Sequence, residues 1–193
     1  HSFGLRYWGR RGPWEFDHEA ILQTGSFGEW GILAWTASLS ASYALGKQQR
    51  LGLKTELISG DDANTERLGT FNPLFPRGAY FGRVAKFGPQ NLIDLHPYWN
   101  LRLGQFFIEI DYDVFWRFSL SDGVYGPAGT LDFAGQGTSR RIAHQIGTLL
   151  SWEPTHFLLL ELETNYIKPS NYLLETGNRA RLWHVVFTIE LRF

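Results

Sequence analysis

The sequence predicts an all-β fold, a transmembrane antiparallel up-and-down β-barrel of which about nine strands are visible. Apolar and polar residues alternate over stretches of roughly ten residues, near the length that a tilted strand needs to cross a bilayer. Aromatic residues, 16% of the chain, stand near the ends of nearly every apolar row, as in the interfacial girdles of such barrels. Short and long connections alternate, which is typical of short periplasmic turns and long external loops.

The alternation is clearest at 183–193, where the sequence ends. One set of alternate residues is wholly apolar and comprises Trp183, Val185, Phe187, Ile189, Leu191 and Phe193. The other set is mostly polar and comprises His184, Val186, Thr188, Glu190 and Arg192. A period of two predicts a strand with one apolar and one polar environment, and in a barrel the apolar side meets lipid.

Four strands are predicted before residue 58, at 3–8, 14–23, 33–45 and 51–57. The second is the least regular, because His18 interrupts its apolar row and Ile21 interrupts its polar row. Turn-forming residues at 10–13 and 46–49, and a Gly-containing connection at 25–30, separate these strands.

Five further strands are predicted at 93–103, 106–118, 142–152, 158–166 and 183–193. Tight turns fall at Gly104 and around Pro154. The long connections are 59–90, 119–139 and 168–179, so the last strand should run toward the periplasm. Segment 59–90 has no clear period, and a loop of this length is usually functional. We expect it to fold inward or to cap the mouth of the barrel.

An odd number of strands leaves a barrel incomplete. Single-chain bacterial barrels have even strand numbers and closed edges. The sequence also begins at His1, without an initiator Met, and close to a predicted strand. We therefore expect 1–193 to be a single segment of a larger outer-membrane barrel, closed by preceding strands or by another chain.

The composition excludes several classes of protein. The chain has 18 Lys and Arg against 19 Asp and Glu, so it lacks the basic excess that a nucleic-acid partner needs. It has no Cys, which excludes disulfides and thiolate metal sites. A soluble β-sandwich or lipocalin-like barrel would also alternate, but its strands are typically about half as long.

Several motifs lie in the middle and later parts of the chain. Segment 68–82 reads LGTFNPLFPRGAYFG and segment 88–97 reads GPQNLIDLHP. FWR follows at 115–117, DGVYGP at 122–127 and ETG at 175–177. In order and spacing these motifs resemble the signature of the alginate-export family of outer-membrane proteins. A weaker similarity extends over almost the whole chain, which corresponds to the family's C-terminal half.

The resemblance implies a barrel of about 18 strands, half of which this chain supplies, and passive export of an anionic polysaccharide. The expected partners are outer-membrane lipid and a polysaccharide or small polar solute, with no nucleic acid. No cofactor and no enzymatic activity are expected. An uptake porin of the same fold, or a barrel that serves as a sleeve for a partner protein, are the alternatives.

The residues predicted to face inward carry both charges. The cationic or titratable ones are Arg6, Arg10, Lys54, Arg102, Arg117, Arg141, Arg192, His96 and His184. The anionic ones are Glu15, Asp17, Glu19, Glu56, Asp94, Glu109, Asp111, Asp113, Glu161, Glu163 and Glu190. A pore for a polyanion should be electropositive, and this half-lumen departs from that expectation. The arginines either form a ladder beside an acidic wall or are neutralised in cross-strand ion pairs.

The candidate pore-lining and substrate-contacting residues are Arg117, Arg102, Arg141, Lys54, His96, Asp94, Asp113 and Arg77. Arg117 leads them because it belongs to the FWR motif; the alternative is a salt bridge to Asp94 or Asp113. Arg77 lies in the Pro-Arg-Gly turn of the long loop, where it would contact cargo. The alternative there is that the neighbouring prolines and glycines simply shape the loop.

Metal and catalytic sites find less support. His18-Glu19 begins like a zinc HExxH motif, but Leu22 occupies the position of the second His. A short acidic run offers calcium-type ligands at Asp61, Asp62, Asn64 and Glu66, but its spacing lacks the glycine of a calcium loop. A solvated acidic loop is the simpler interpretation of these residues. A hydrolase site is supported only by the presence of suitable residue types, which are Ser119, Ser121, Asp122 and His144.

Overall fold

A computed structural model describes residues 1–75, 81 and 84–193 of the chain. Its described residues form twelve strands and one short helix. The strands are β1 (Ser2–Arg11), β2 (Trp14–Phe27), β3 (Trp30–Ala44), β4 (Gln49–Ile58), β5 (Arg67–Leu68), β6 (Leu92–Leu103), β7 (Phe106–Arg117), β8 (Val124–Tyr125), β9 (Leu131–Phe133), β10 (Arg141–Thr155), β11 (Leu158–Pro169) and β12 (Leu182–Leu191), and the helix is α1 (Asn171–Glu175).

Nine long strands form one antiparallel meander over the described parts of the chain. Their order is β1-β2-β3-β4-β6-β7-β10-β11-β12, so each strand pairs with the next long strand in the sequence. Strand β5 adds a short parallel pairing to β3, and β8 pairs with β9 in a separate hairpin. The sheet is open between β1 and β12. The all-β, up-and-down fold class is confirmed, with the sheet as part of a barrel.

The register divides the sheet into two faces. Residues paired across neighbouring strands point to the same side of a sheet. One such row is wholly apolar and reads Trp14, Tyr43, Leu51, Trp99 and Ile110. We call the side that carries this row the outer face. The opposite side, which carries most of the charged residues, is called the inner face.

The outer face is exposed to its surroundings. Leu5 is 74% exposed and Phe187 is 62% exposed, and apolar neighbours surround both. An apolar surface of this extent is unfavourable in water but is the normal surface of a strand that meets lipid. Aromatic pairs lie near the short turns, where Trp14 packs edge-on against Tyr43 and Phe106 stacks on Trp152.

In the described parts of the chain, four of the five short turns join the strands at one end of the sheet, and the turn at 28–29 lies at the other end. Two residues connect β1 to β2 and two connect β6 to β7, and the first of each pair is a glycine. Gly12 has φ +58° and Gly104 has φ +56°, a conformation that costs glycine little. The longer connections 59–91, 118–140 and 170–181 all lie at the other end, as the sequence predicts.

Two boundaries differ from the sequence pattern. Strand β2 continues to Phe27, so the predicted connection at 25–30 shortens to a turn at 28–29. Strand β10 continues through Pro154 to Thr155, with an irregularity after Trp152, and the turn falls at 156–157. Proline is tolerated at such an irregularity because the ladder of hydrogen bonds is already interrupted there.

The buried apolar core lies between the inner face and the long connections. Its members come from both, and include Ile58, Leu92 and Phe115 from strands and Phe71 and Tyr172 from loops. We call the described residues of 59–91, 118–140 and 170–181 the loop layer. In the described segments, no helix has the length and hydrophobicity needed to cross a membrane.

Candidate functional site

The charged residues of the inner face fall into two zones. The turn-side zone lies toward the short turns and is held together by ion pairs. Arg6 donates to both carboxylate oxygens of Asp17, at 2.9 and 2.6 Å. Arg10 and Arg50 share Glu15, at 2.9 and 2.7 Å. The Arg6 and Arg10 pairs connect the neighbouring strands β1 and β2, and the Arg50 pair reaches from β4 across β3 to β2. Both kinds of contact agree with the bracing alternative for the arginines.

Two inner-face cations lack a carboxylate partner among the described residues. Lys54 Nζ lies 5.0 Å from the ring centroid of Tyr98, and the Arg102 guanidinium carbon lies 5.2 Å from that of Phe107. Both cations are exposed. Gly52 leaves room for Tyr98, since a Cβ at this position would overlap the Tyr98 ring. Lys54 and Arg102 therefore present positive charge on the inner face.

The loop-side zone contains three converging side chains, which we call the acid–histidine cluster. Asp94 and His96 are alternate residues of β6, and Asp113 lies on the adjacent strand β7. One ligand atom from each residue lies within 4.8 Å of the other two. His96 Nδ1 is 2.7 Å from Asp113 Oδ1. Strand periodicity places Asp94 and His96 on one face, because residues two apart on one strand share a face, and the register of β6 with β7 brings Asp113 beside them.

The two carboxylates of this cluster are buried and His96 is half-buried. Asp94 is 2% exposed and Asp113 is 0% exposed. Phe81 of the loop layer packs against Phe115, with ring centroids 5.5 Å apart, and Phe115 is paired with Asp94. Gln145 of β10 donates to Asp113 Oδ2 at 2.9 Å and to the Phe81 carbonyl oxygen at 3.1 Å. The described part of loop 59–90 thus folds onto the inner face, as predicted.

Arg117 does not line the inner surface, which corrects the leading sequence-based candidate. Its side chain is 0% exposed and lies beneath the loop layer. It donates five hydrogen bonds of 2.7–3.2 Å to four backbone carbonyl oxygens, those of Leu120, Asp122, Gly137 and Ser139. The described chain gives it these carbonyl partners and not the predicted salt bridge to Asp94 or Asp113. Arg117 therefore organises loops.

Arg141 also departs from the inward placement that alternation predicts. It is paired with Trp116, an outer-face residue of β7, and its guanidinium carbon lies 6.0 Å from the Trp116 ring centroid. A register shift between Arg141 and Ala143 follows, and Ile142 is fully buried. An extra residue in one strand reverses the expected alternation. Arg77 lies outside the described residues.

Asn91 connects two of the long loops, and the periodicity of the sequence does not reveal it. It is fully buried and has φ +48°, a conformation that Asn tolerates better than most residues. Its Nδ2 donates to the carbonyl oxygens of Ser119 and Gly123, at 3.1 and 2.8 Å. Its Oδ1 accepts from the Ser119 amide at 2.6 Å. The only signal in the sequence is its membership of the GPQNLIDLHP motif.

Carboxylates tie the loop layer together elsewhere. Asp122 Oδ2 accepts hydrogen bonds from the Asp61 amide and the Thr70 hydroxyl, at 3.0 and 2.6 Å, and its Oδ1 accepts one from the Tyr125 hydroxyl at 2.8 Å. Burial and the Asp122 carboxylate raise the pKa of Tyr125 above its ordinary range. Asp61 accepts from the Gly69 and Thr70 amides, so this proposed calcium ligand is engaged by backbone N–H groups.

Glu175 joins α1 to the loop 118–140. It accepts hydrogen bonds from the Ser139 hydroxyl and from the Ser139 and Thr138 amides. These bonds, that of the Ser139 hydroxyl first, lower the pKa of Glu175 below its ordinary range.

Acid is expected to loosen this junction. Because the folded pKa of Glu175 is lowered, its contribution to folding is complete above the ordinary glutamate pKa of about 4.3 and is lost as the pH falls through the lowered value. Hydrogen exchange at the Thr138 and Ser139 amides, followed below about pH 5, checks this. Glu175→Gln should remove the pH-dependent step, and Glu29→Gln, at an exposed turn, should leave it. The same step in Glu175→Gln would contradict the assignment.

The long motifs, the open meander and the lipid-type outer face point to one family. The chain matches the family described as alginate export over residues 1–186. It belongs to the alginate export family. Membership makes it part of an outer-membrane transport barrel of the general polysaccharide-export class. No curated protein matches the chain.

In this alginate export family member, the structure separates the residues of the sequence-based catalytic sites. His18 and Glu19 point to opposite faces of β2. His144 lies on the outer face, where its Nδ1 is 2.6 Å from the Tyr112 hydroxyl. Asp122 belongs to the loop layer and is held by its own partners. These residues therefore do not assemble the hydrolase or zinc sites considered from the sequence.

Proposed function

We propose that this chain forms the C-terminal half of an outer-membrane barrel of about 18 strands, through which a polar polysaccharide passes out of the cell by diffusion. The family match over residues 1–186 is the observation that carries this proposal. Strands β1 and β12 each have one edge without a partner strand in the described parts of the chain. These edges support the proposal, because open edges are costly in a bilayer and require partner strands.

The cargo is an alginate-like polyuronate or a related polar glycan. The inner face supports a solute with both charged and neutral groups, because its arginines near the turns are already paired with carboxylates. Lys54 and Arg102 are the proposed contacts for uronate groups, and Tyr98 and Phe107 provide flat surfaces beside them. Aromatic rings next to cations suit a sugar chain, since such chains present both apolar ring faces and acidic groups.

Single-channel conductance of the intact parent barrel in a planar bilayer tests the proposal. We expect open current, reduced when a polyuronate is added to one side. A fully conducting channel that a neutral oligosaccharide blocks and a polyuronate does not would indicate uptake or export of a different solute. A folded, inserted barrel without current would instead indicate a plugged barrel or a sleeve for a partner protein.

Lys54→Glu should shift the reversal potential in a salt gradient toward cation preference. The side chain is exposed on the inner face, and a reversed charge on a pore wall changes the local concentration of both ions. We expect the anion-to-cation permeability ratio to fall by about two-fold or more. Lys47→Glu, in an exposed turn, makes the same change in net charge and should have a much smaller effect. Equal shifts in the two variants would contradict a pore-lining position for Lys54.

A further inference from the structure

The acid–histidine cluster has a chemical feature that polysaccharide transport does not use. Asp94 Oδ1 is buried and has no hydrogen-bond partner in the described chain. Asp113 Oδ1 is likewise buried and accepts no hydrogen bond of acceptable geometry, although His96 Nδ1 is 2.7 Å away. Buried carboxylate oxygens normally have partners, and an unpaired one is costly. Two such oxygens beside one ring nitrogen therefore require an explanation.

The other atoms of these side chains are held in place. Gln145 donates to Asp113 Oδ2 at 2.9 Å, which leaves Asp113 Oδ1 directed at the cluster. The Thr55 hydroxyl donates to the Asp94 carbonyl oxygen at 2.6 Å, which fixes the backbone beneath the Asp94 carboxylate. Asp111 Oδ1 lies 3.9 Å from His96 Nε2, on the other side of the imidazole. A carboxylate near the second nitrogen is the usual environment of a metal-bound histidine.

We propose that Asp94, His96 and Asp113 bind a divalent transition-metal ion, of the zinc class, in the wall of the barrel. One imidazole nitrogen and two carboxylate oxygens form a donor set that suits zinc and its neighbours, whereas calcium and magnesium prefer oxygen alone. The three ligand atoms lie within 4.8 Å of one another, close enough for one ion to contact all three. The positive ion offsets the two buried carboxylates, which otherwise repel each other.

The site lies where the strands meet the loop layer. Asp113 is connected through Gln145 to the carbonyl oxygen of Phe81, and Phe81 packs on Phe115 beside Asp94. A bound ion therefore joins β6 to β7 directly beneath the part of the loop layer that covers the inner face. Metal binding should stabilise this end of the barrel.

The test is titration of the full-length parent barrel, metal-free and in detergent, with Zn²⁺ alone, followed by calorimetry and by the thermal transition. We expect one ion to bind for each copy of this segment and to raise the transition temperature. Asp94→Asn and His96→Gln should each weaken Zn²⁺ binding by about 100-fold or more. Removing a residue that only hydrogen-bonds to a metal ligand already lowers metal affinity by about 10–100-fold, and these two residues are the proposed ligands themselves. His184→Gln, which removes an inner-face histidine on β12, should leave binding unchanged.

Co²⁺ provides a second readout that a purely structural role would not affect. Co²⁺ bound at the site with few ligands should give visible d–d bands stronger than those of aqueous Co²⁺, and this increase should be lost in His96→Gln and persist in His184→Gln. Asp94→Asn keeps the shape of the side chain and removes one of two repelling charges, so its folding without metal should be at least as stable as that of the wild type. Absence of Zn²⁺ binding by the wild type, or an affinity in Asp94→Asn and His96→Gln equal to that of the wild type, would overturn the proposal.

Discussion

Arg117→Ala is expected to release the loop 118–140 from the sheet while the nine long strands stay paired. The guanidinium is fully buried and donates to the carbonyl oxygens of four loop residues, and its carbon lies 4.0 Å from the ring centroid of Tyr172. Removal leaves these buried carbonyls without their donor and opens a cavity beside an aromatic ring. We expect a loss of about 4 kcal/mol from the free energy of unfolding, in the upper range for a single substitution.

Limited proteolysis of the folded barrel measures the local effect, and a urea titration measures the global one. Cleavage within 118–140 should accelerate at least ten-fold in Arg117→Ala. Arg117→Lys should give an intermediate result, because an ammonium has three donors and lacks the planar fork that reaches four carbonyls. Arg179→Ala removes an exposed arginine from 170–181 and is the matched control. A cleavage rate within two-fold of wild type in Arg117→Ala would contradict the role of Arg117.

Asn91→Ala is expected to separate the loop 59–91 from the loop 118–140. The variant loses three side-chain hydrogen bonds, two to carbonyl oxygens and one from the Ser119 amide, in a site without solvent exposure. Alanine also adopts φ +48° at a cost of about 1–2 kcal/mol. Together these effects should reduce the free energy of unfolding by about 3–4 kcal/mol.

Asn91→Gly separates the two contributions. Asn91→Gly loses the same hydrogen bonds, but glycine adopts the positive φ at little cost. The free energy of unfolding of Asn91→Gly should therefore exceed that of Asn91→Ala by about 1–2 kcal/mol. Urea midpoints of the refolded barrel give both differences. Asn64→Ala removes an exposed asparagine of the same loop and serves as the control. If Asn91→Gly and Asn91→Ala have equal midpoints, the backbone conformation contributes nothing and the argument from φ fails.

The strands were predictable because two media impose their pattern. Lipid on one side and polar surroundings on the other require alternation, and the register Glu56↔Asp94 and Glu161↔Thr188 places these residues on the inner face as expected. The ends of the strands were less predictable where the residues suit the lipid-facing side and the polar side equally well. The segment Thr24-Gly25-Ser26 carries no apolar alternation, yet β2 continues through it because β3 offers a paired edge.

The candidate site was only partly predictable. Alternation correctly predicted that Arg117 lies on the inner face. It contains no information about which loop covers that face, and the covering loop determines whether Arg117 lines a pore or is buried beneath the loops. Arg141 was misplaced because a register shift is a local difference in pairing between two strands, and one strand's sequence does not encode it. The convergence of Asp94 and His96 with Asp113 depends on the β6–β7 register, which periodicity alone leaves open.

The meander has a consequence for how the barrel is assembled. Every long strand hydrogen-bonds to the long strand that follows it in the chain, so each pairing closes only the loop between two successive strands. The entropy lost on closing a loop grows slowly with loop length, and the short turns make five of the eight pairings nearly local. The sheet can therefore grow by adding hairpins at its edges, and the slow, long-range event is deferred to the moment when β1 and β12 find their partner strands.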